Sequence, residues 1–354
     1  MLDKLCEDPQ RAETYFKTQA VNNSLLSQTF NPMWIKWNRD NPELDREEFR
    51  YFRIGSAVDC LLTDASRFSE LFFVFTQSKP AGLAGKFIDN LPLFALNEEN
   101  EPIYGAEGDL ISFNRDYSLY EEAYRKAGYR IPIRTVVQNF WNDDKQQAYY
   151  RAREQANGKQ ILSTDEMEEV QNALDAIKAN PLAPKYFSSY TQIPIYWSQM
   201  YNGKTIKCKG LLDFIYVDHI NKEIWPGDLK TTASSVTEFE DSFWKFGYYR
   251  QEAWYMIGLF CSGIIEYYEA LGYHWNLFRF IVASKKKEGM PALIYEVSYE
   301  TERIGEEGGR ASFLGKMHQV KGVNELFKAL CYHEETGDYS SPKWIIDANY
   351  TYTI

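Results

Sequence analysis

Between residues 193 and 232 apolar and polar positions alternate with a period of two, the clearest strand signal in the chain. Segments 193–201, 204–217 and 223–232 carry β-branched and aromatic residues, and Asn202-Gly203 is a hairpin-turn dipeptide between the first two. Upstream the period is helical. Asn22-Asn23-Ser24 offers a cap ahead of Leu25-Leu26, and Asn31-Pro32 opens a helix carrying Met33, Trp34 and Trp37. Phe49, Phe52, Ile54 and Val58 recur at helical spacing within 45–62, and 71–75 is a short apolar run that reads as a buried strand. Residues 80–108 hold Gly, Pro and acidic positions without a period and read as a loop. Helices are expected over 117–126 and 135–155. Ser163-Thr-Asp-Glu166 is a capping box opening a further helix to about Ala179, which Asn180-Pro181 stops. After the strand meander come a helix over 248–271, strands over 273–284 and 292–299, and a last helix over 312–333. No internal repeat, low-complexity tract or linker interrupts this order. A single domain over 1–354 is therefore expected: a mostly helical part to 185, a sheet-bearing part over 186–300, and a C-terminal helix and tail over 301–354.

Composition narrows the class. A hydrophobic content of 44% with 25% charged residues is that of a globular protein with ample core. The net charge of -11 argues against a protein basic all over, but not against a local basic groove. Lys204, Lys207 and Lys209, the triplet Lys285-Lys286-Lys287, and the run from Arg125 and Lys126 through Arg130 to Arg134 are candidate pieces of one. The five cysteines are scattered with no C-x-x-C pair, so a reducing cytoplasm is the expected compartment and no zinc ribbon or iron–sulfur cluster is indicated. Met1-Leu-Asp-Lys-Leu-Cys-Glu is too short and charged for a signal peptide, and no apolar run has the length of a membrane span.

The strand meander carries the candidate chemistry. Symmetrical pairing about the turn at 218–222 places Asp213 opposite Asp228, with Lys230 on the same face two residues on. Directly opposed carboxylates, roughly 5 Å apart at Cβ, repel unless a cation compensates, and a divalent metal would do so. Two carboxylates and an ammonium at one spot suit metal-assisted phosphodiester hydrolysis; an exposed hairpin with charges on its wet face is the plainer alternative. Gly210 and Gly227 thin the backbone nearby, as glycine does where a ligand or another backbone approaches. Pro226 conflicts with a central strand, since it has no N–H for the ladder. Other chemistries lack their motifs. There is no H-E-x-x-H, no G-x-S-x-G and no ligand spacing among His219, His274, His318 and His333, and Gly82-Leu-Ala-Gly85-Lys86 lacks the phosphate-loop spacing.

Taken in order, the segments resemble the RecE-type (exonuclease VIII-like) branch of the PD-(D/E)XK nucleases, close to the RecB-like group. The matching pieces are Asn23-Ser24-Leu25 with Asn31-Pro32, Gly55-Ser-Ala-Val-Asp59-Cys-Leu-Leu62, residues 161–181, Gly210-Leu-Leu-Asp213, Asp228-Leu-Lys230-Thr-Thr232 and Gln251-Glu-Ala-Trp-Tyr255. The resemblance implies an α/β, restriction-endonuclease-like core, a mixed central β-sheet flanked by helices. It implies Mg²⁺, with Mn²⁺ as substitute, on Asp59, Asp213, Asp228 and the Leu229 carbonyl, with Lys230 orienting or activating the attacking water. Gln251 and Tyr255 would touch the DNA backbone or brace the site, and Thr231, Thr232 and Lys209 complete the expected substrate contacts. The implied activity is an ATP-independent DNA exonuclease on duplex ends in phage-type recombination, cytoplasmic in a bacterial host. A single-strand annealing protein and further copies of the chain would be its partners, with no membrane. Two departures stand out: Asp59 where the first motif carries His, and Leu211 where the family often carries Arg. They motivate a second reading, a catalytically silent nuclease fold that binds DNA ends or a protein. An endonuclease or repair-complex nuclease of the same fold is a third.

Overall fold

The computed structural model describes residues 1–41, 50–92, 117–287 and 289–349. The chain gathers into two compact units, one of residues 1–48 and 172–354, the other of residues 49–171. Part of the expected helix over 45–62 and most of the expected loop over 80–108 lie outside the described residues.

In the 49–171 unit, β1 (Phe72–Phe75) pairs in parallel with β2 (Gln160–Ser163). The core beside them is aromatic: Phe87, Tyr120, Phe140, Tyr149 and Tyr150 are buried together with Val136 and Val137. The capping box is reciprocal. Ser163 Oγ accepts from the Glu166 N–H, and Glu166 Oε2 accepts from the Ser163 N–H at 2.9 Å. Two expectations change here. Within 80–108, residues Gly82–Asp89 form a helix. The expected helix over 135–155 is two, Ile133–Asn142 and Asp144–Ala156, because Asp143 turns its carboxylate onto the N–H groups of Lys145 and Gln146 and caps the second.

The other unit is built on one mixed sheet: β3 (Tyr190–Tyr201), β4 (Lys204–Asp218), β5 (Glu223–Thr232), β7 (Arg279–Ser284) and β8 (Leu293–Glu296) in that order, with β6 (His274–Trp275) beside the start of β5. β3, β4 and β5 form an antiparallel meander, and β5 runs parallel to β6 and β7. The Asn202-Gly203 turn is left-handed at both residues, φ 47° and 76°. Helix Tyr248–Cys261 packs on the sheet through Trp254, whose ring lies 4.8 Å from that of Trp197. Burying a side chain of that size contributes about 5 kcal/mol by transfer. The expected helix over 248–271 breaks at Gly263 (φ 74°) into Tyr248–Cys261 and Ile264–Ala270. The expected last helix over 312–333 is in its first part a hairpin, β9 (Gly309–Phe313) with β10 (Lys316–Val320), followed by helix Val323–Thr336. Leu314 and Gly315, both at positive φ, make its turn. Along the hairpin only Ala311 and Val320 are buried, too few for a visible period. Among the described residues no helix is long and apolar enough to cross a membrane.

Candidate active site

β5 is the central element, buried from Ile224 to Leu229, so the alternative of an exposed hairpin does not hold. Its proline is accommodated by a gap. The carbonyls of Lys222 and Ile224 accept from His274 and Asn276, and that of Thr232 from Lys285, so even-numbered residues face β6 and β7. Pro226 therefore faces residues 276–278, after β6 ends and before β7 begins, where the ladder asks for no N–H.

The β4–β5 ladder keeps the expected register from Asp218↔Glu223 to Phe214↔Gly227 and stops there, one pair short of Asp213 and Asp228. Asp213 Oδ2 instead accepts the Leu229 N–H at 2.8 Å, which puts a side chain where the next backbone partner would be. The N–H and carbonyl of a strand residue share one edge, so the Leu229 carbonyl lies on the edge that faces Asp213. The ladder to β3 is interrupted at the same residue. Thr191↔Phe214 and Ile193↔Leu212 pair, but Gln192, opposite Asp213, does not; it takes φ 50° and donates its side-chain amide to Asp213 Oδ1 at 3.3 Å.

Asp228 is 2% exposed. Its Oδ1 contacts the Lys230 ammonium and its Oδ2 accepts from Gln251 Nε2 at 2.8 Å. Lys230 Nζ also lies over the Tyr248 ring, 4.8 Å from its centroid. Burial pushes the Asp228 carboxyl above its ordinary pKa, with Lys230 and Gln251 drawing it back. For Lys230 burial works to remove the proton, but Asp228 and Asp213 together outweigh it and hold the ammonium above its usual value. Tyr255 OH is pushed well above the phenol range, by burial first and then by both carboxylates. Asp213 and Asp228 thus act on the same two neighbours, Lys230 and Tyr255.

Gln251 and Tyr255 share a helix face, and the amide donates to the Tyr255 hydroxyl at 3.1 Å as well as to Asp228. Of the two roles expected for them, these bonds belong to bracing. The glycines serve rings rather than a ligand: a Cβ at Gly210 would stand 3.0 Å from the Tyr255 ring, and one at Gly227 would overlap the Phe214 ring and the Arg279 carbonyl. Lys209 departs from its expected role as a DNA contact. It is 5% exposed, and its ammonium donates to the carbonyls of Tyr15 and Thr18 at 2.7 and 2.8 Å, closing the end of helix Arg11–Lys17. Thr231 and Thr232 are half-buried at the end of β5, where Thr232 Oγ1 accepts the Ser234 N–H. Asp59 belongs to the 49–171 unit, half-buried on helix Arg50–Thr63.

Among the described residues no group of three or more His, Cys, Asp or Glu side chains is placed to hold a metal ion. Within the sheet the donors are two carboxylates and a backbone carbonyl. That set is all oxygen, and Mg²⁺ takes one or two carboxylates and completes its octahedron with water and phosphate oxygens. Two carboxylates and a carbonyl are donors of the kind such an ion takes, so the set fits it in its chemistry.

No protein-family model matches the chain, and no curated protein matches it. Among solved structures it is similar to a crystal structure from Eubacterium rectale named a "Putative exonuclease", with 14% identity, 84% of this chain and 79% of that one covered, and a TM-score of 0.41. Likeness at that level decides neither family nor activity, which leaves the site's own geometry to carry the reading.

Two residues of the site are silent in the sequence. Gln192 lies just ahead of the expected strand over 193–201, with nothing to announce positive φ. Arg11, whose guanidinium reaches the Gln192 carbonyl, is 181 residues away along the chain. Only the fold brings them together.

Proposed function

We propose that the protein is a Mg²⁺-dependent DNA exonuclease that hydrolyses phosphodiester bonds from duplex ends without ATP. The observation that carries this reading is the buried Asp228 with Lys230 against it, at the point where the strand ladder opens beside Asp213. Asp213, Asp228 and the Leu229 carbonyl would hold the ion. Bound there, Mg²⁺ would polarise the scissile phosphate and lower the pKa of the attacking water. The chain's own groups do the rest. Gln251 Nε2 fixes the plane of Asp228, and the Leu229 N–H fixes Asp213. Lys230 Nζ, against Asp228, would orient or activate the attacking water.

Linear duplex incubated with Mg²⁺ should release mononucleotides while a closed circle survives; nicking of the circle would instead indicate an endonuclease. Asp228→Ala and Lys230→Ala should abolish release and leave DNA binding in place, and Asp59→Ala tests the ligand role expected for that residue. One observation favours the silent-fold reading: the Lys230 ammonium contacts Asp228 directly and balances its charge. Under that reading neither Mg²⁺ nor Mn²⁺ supports release, and calorimetry detects no uptake of either ion.

A further inference from the structure

We infer that Arg11 and Gln192 form a positioning device for Asp213, in which the N-terminal helix Arg11–Lys17 holds a flipped strand residue so that its amide orients a metal-binding carboxylate. This rests on the nuclease reading above. Asp213 is the one residue of β4 at which the ladders to β3 and to β5 both let go. Its two oxygens are taken instead by the Leu229 N–H on one side and the Gln192 amide on the other. Gln192 reaches it from φ 50°, a backbone conformation that side chains other than Gly, Asn and Asp seldom adopt. Such a residue persists only where its surroundings over-determine it.

Arg11 supplies that constraint. Its Nε donates to the Gln192 carbonyl at 3.0 Å and its Nη2 to the neighbouring Thr191 carbonyl at 2.9 Å. The rigid planar fork holds two adjacent carbonyls in one fixed direction, whereas an ammonium on a flexible stem imposes no such direction. The helix that carries Arg11 is bolted to the sheet at its other end by Lys209 from β4, so the fork has a fixed origin. Partners behind a metal ligand set its orientation, and their loss typically costs about 10–100-fold in metal affinity or activity. Gln192 and Arg11 stand in that relation to Asp213.

The test uses the full chain with Mn²⁺ as probe, read by titration calorimetry and by the electron paramagnetic resonance signal of the ion, with melting temperature measured in parallel. Gln192→Gly keeps φ 50° accessible and removes the side chain that carries the amide. It should bind Mn²⁺ about 10-fold more weakly, with unchanged or higher melting temperature. Arg11→Ala should weaken Mn²⁺ binding and lower the melting temperature. Placed in the Gln192→Gly background, it should lower the melting temperature again with no further loss of affinity, because both residues act through one contact. Arg11→Lys should fail to restore affinity. If wild-type protein takes up no Mn²⁺, the nuclease reading falls and this proposal with it. If Asp213→Asn destroys Mn²⁺ binding but Gln192→Gly leaves it intact, the positioning device alone is refuted. Additive losses from Arg11→Ala and Gln192→Gly would refute the link between the two.

Discussion

At the scale of single residues, a buried carboxylate is tolerable only when donors answer it, and Asp228 has two. Gln251→Ala would leave Asp228 Oδ2 without its amide donor. The expected cost is about 1.5–3 kcal/mol, the range for a hydrogen bond to a charged group, visible as a lower denaturation midpoint at neutral pH. The Gln251 bond also pulls the Asp228 pKa down, so its loss should let that carboxyl protonate at higher pH. Lys209 is a lysine whose charge serves a helix end. Lys209→Met should cost about 1–3 kcal/mol in chemical denaturation, since two carbonyls lose their donor, and should leave the salt dependence of the proposed DNA binding unchanged. A phosphate contact would reduce that salt slope instead.

At the scale of elements, β5 does what its composition resists. It carries a proline and a glycine through the middle of a mixed sheet, and both are accommodated by a neighbour that is missing or a ring that fills space. Gly227→Ala would drive a methyl group into the Phe214 ring and the Arg279 carbonyl. Overpacking of this kind costs about 1–3 kcal/mol, and here the backbone of β7 must move, so the melting temperature should fall, and the proposed cleavage with it. The helical breaks follow from single residues that compete with the helix: Asp143 by capping the next one, Gly263 by turning left-handed. The meander, the capping box and the Q-x-x-x-Y face were legible because each is a local pattern. The β9–β10 hairpin was not, since two buried residues make no period.

At the scale of the whole molecule, the acidic balance reaches into the core. Glu252, 1% exposed on helix Tyr248–Cys261, is pushed well above the carboxylate range by burial, then by Glu302 and Glu306 on helix Tyr299–Glu307. The folded protein therefore keeps a proton that the unfolded chain has lost. Between the ordinary Glu pKa of about 4.3 and the raised folded value, the native state binds more protons, so stability falls as pH rises through that window. Its contribution is complete below about 4.3 and is lost as pH climbs past the folded value. Glu252→Gln should thus raise the melting temperature at neutral and alkaline pH, have little effect near pH 4, and flatten the stability profile between. Thermal melts across pH 4–9 on both proteins check the sign.

Patterns confined to a few neighbouring residues were decided by sequence: the strand alternation around Asp213 and Asp228, the shared face of Gln251 and Tyr255, the turn at Asn202-Gly203, the cap at Ser163. Each depends on backbone periodicity or on a side chain reaching its own backbone, and both are short-range physics. Tertiary structure alone decided that Lys209 would be spent on a helix end, that the ladder would stop one pair before the two aspartates, and that Arg11 would reach Gln192. Those outcomes depend on which distant backbone group lies within hydrogen-bond reach, a quantity that exists only once the chain has folded.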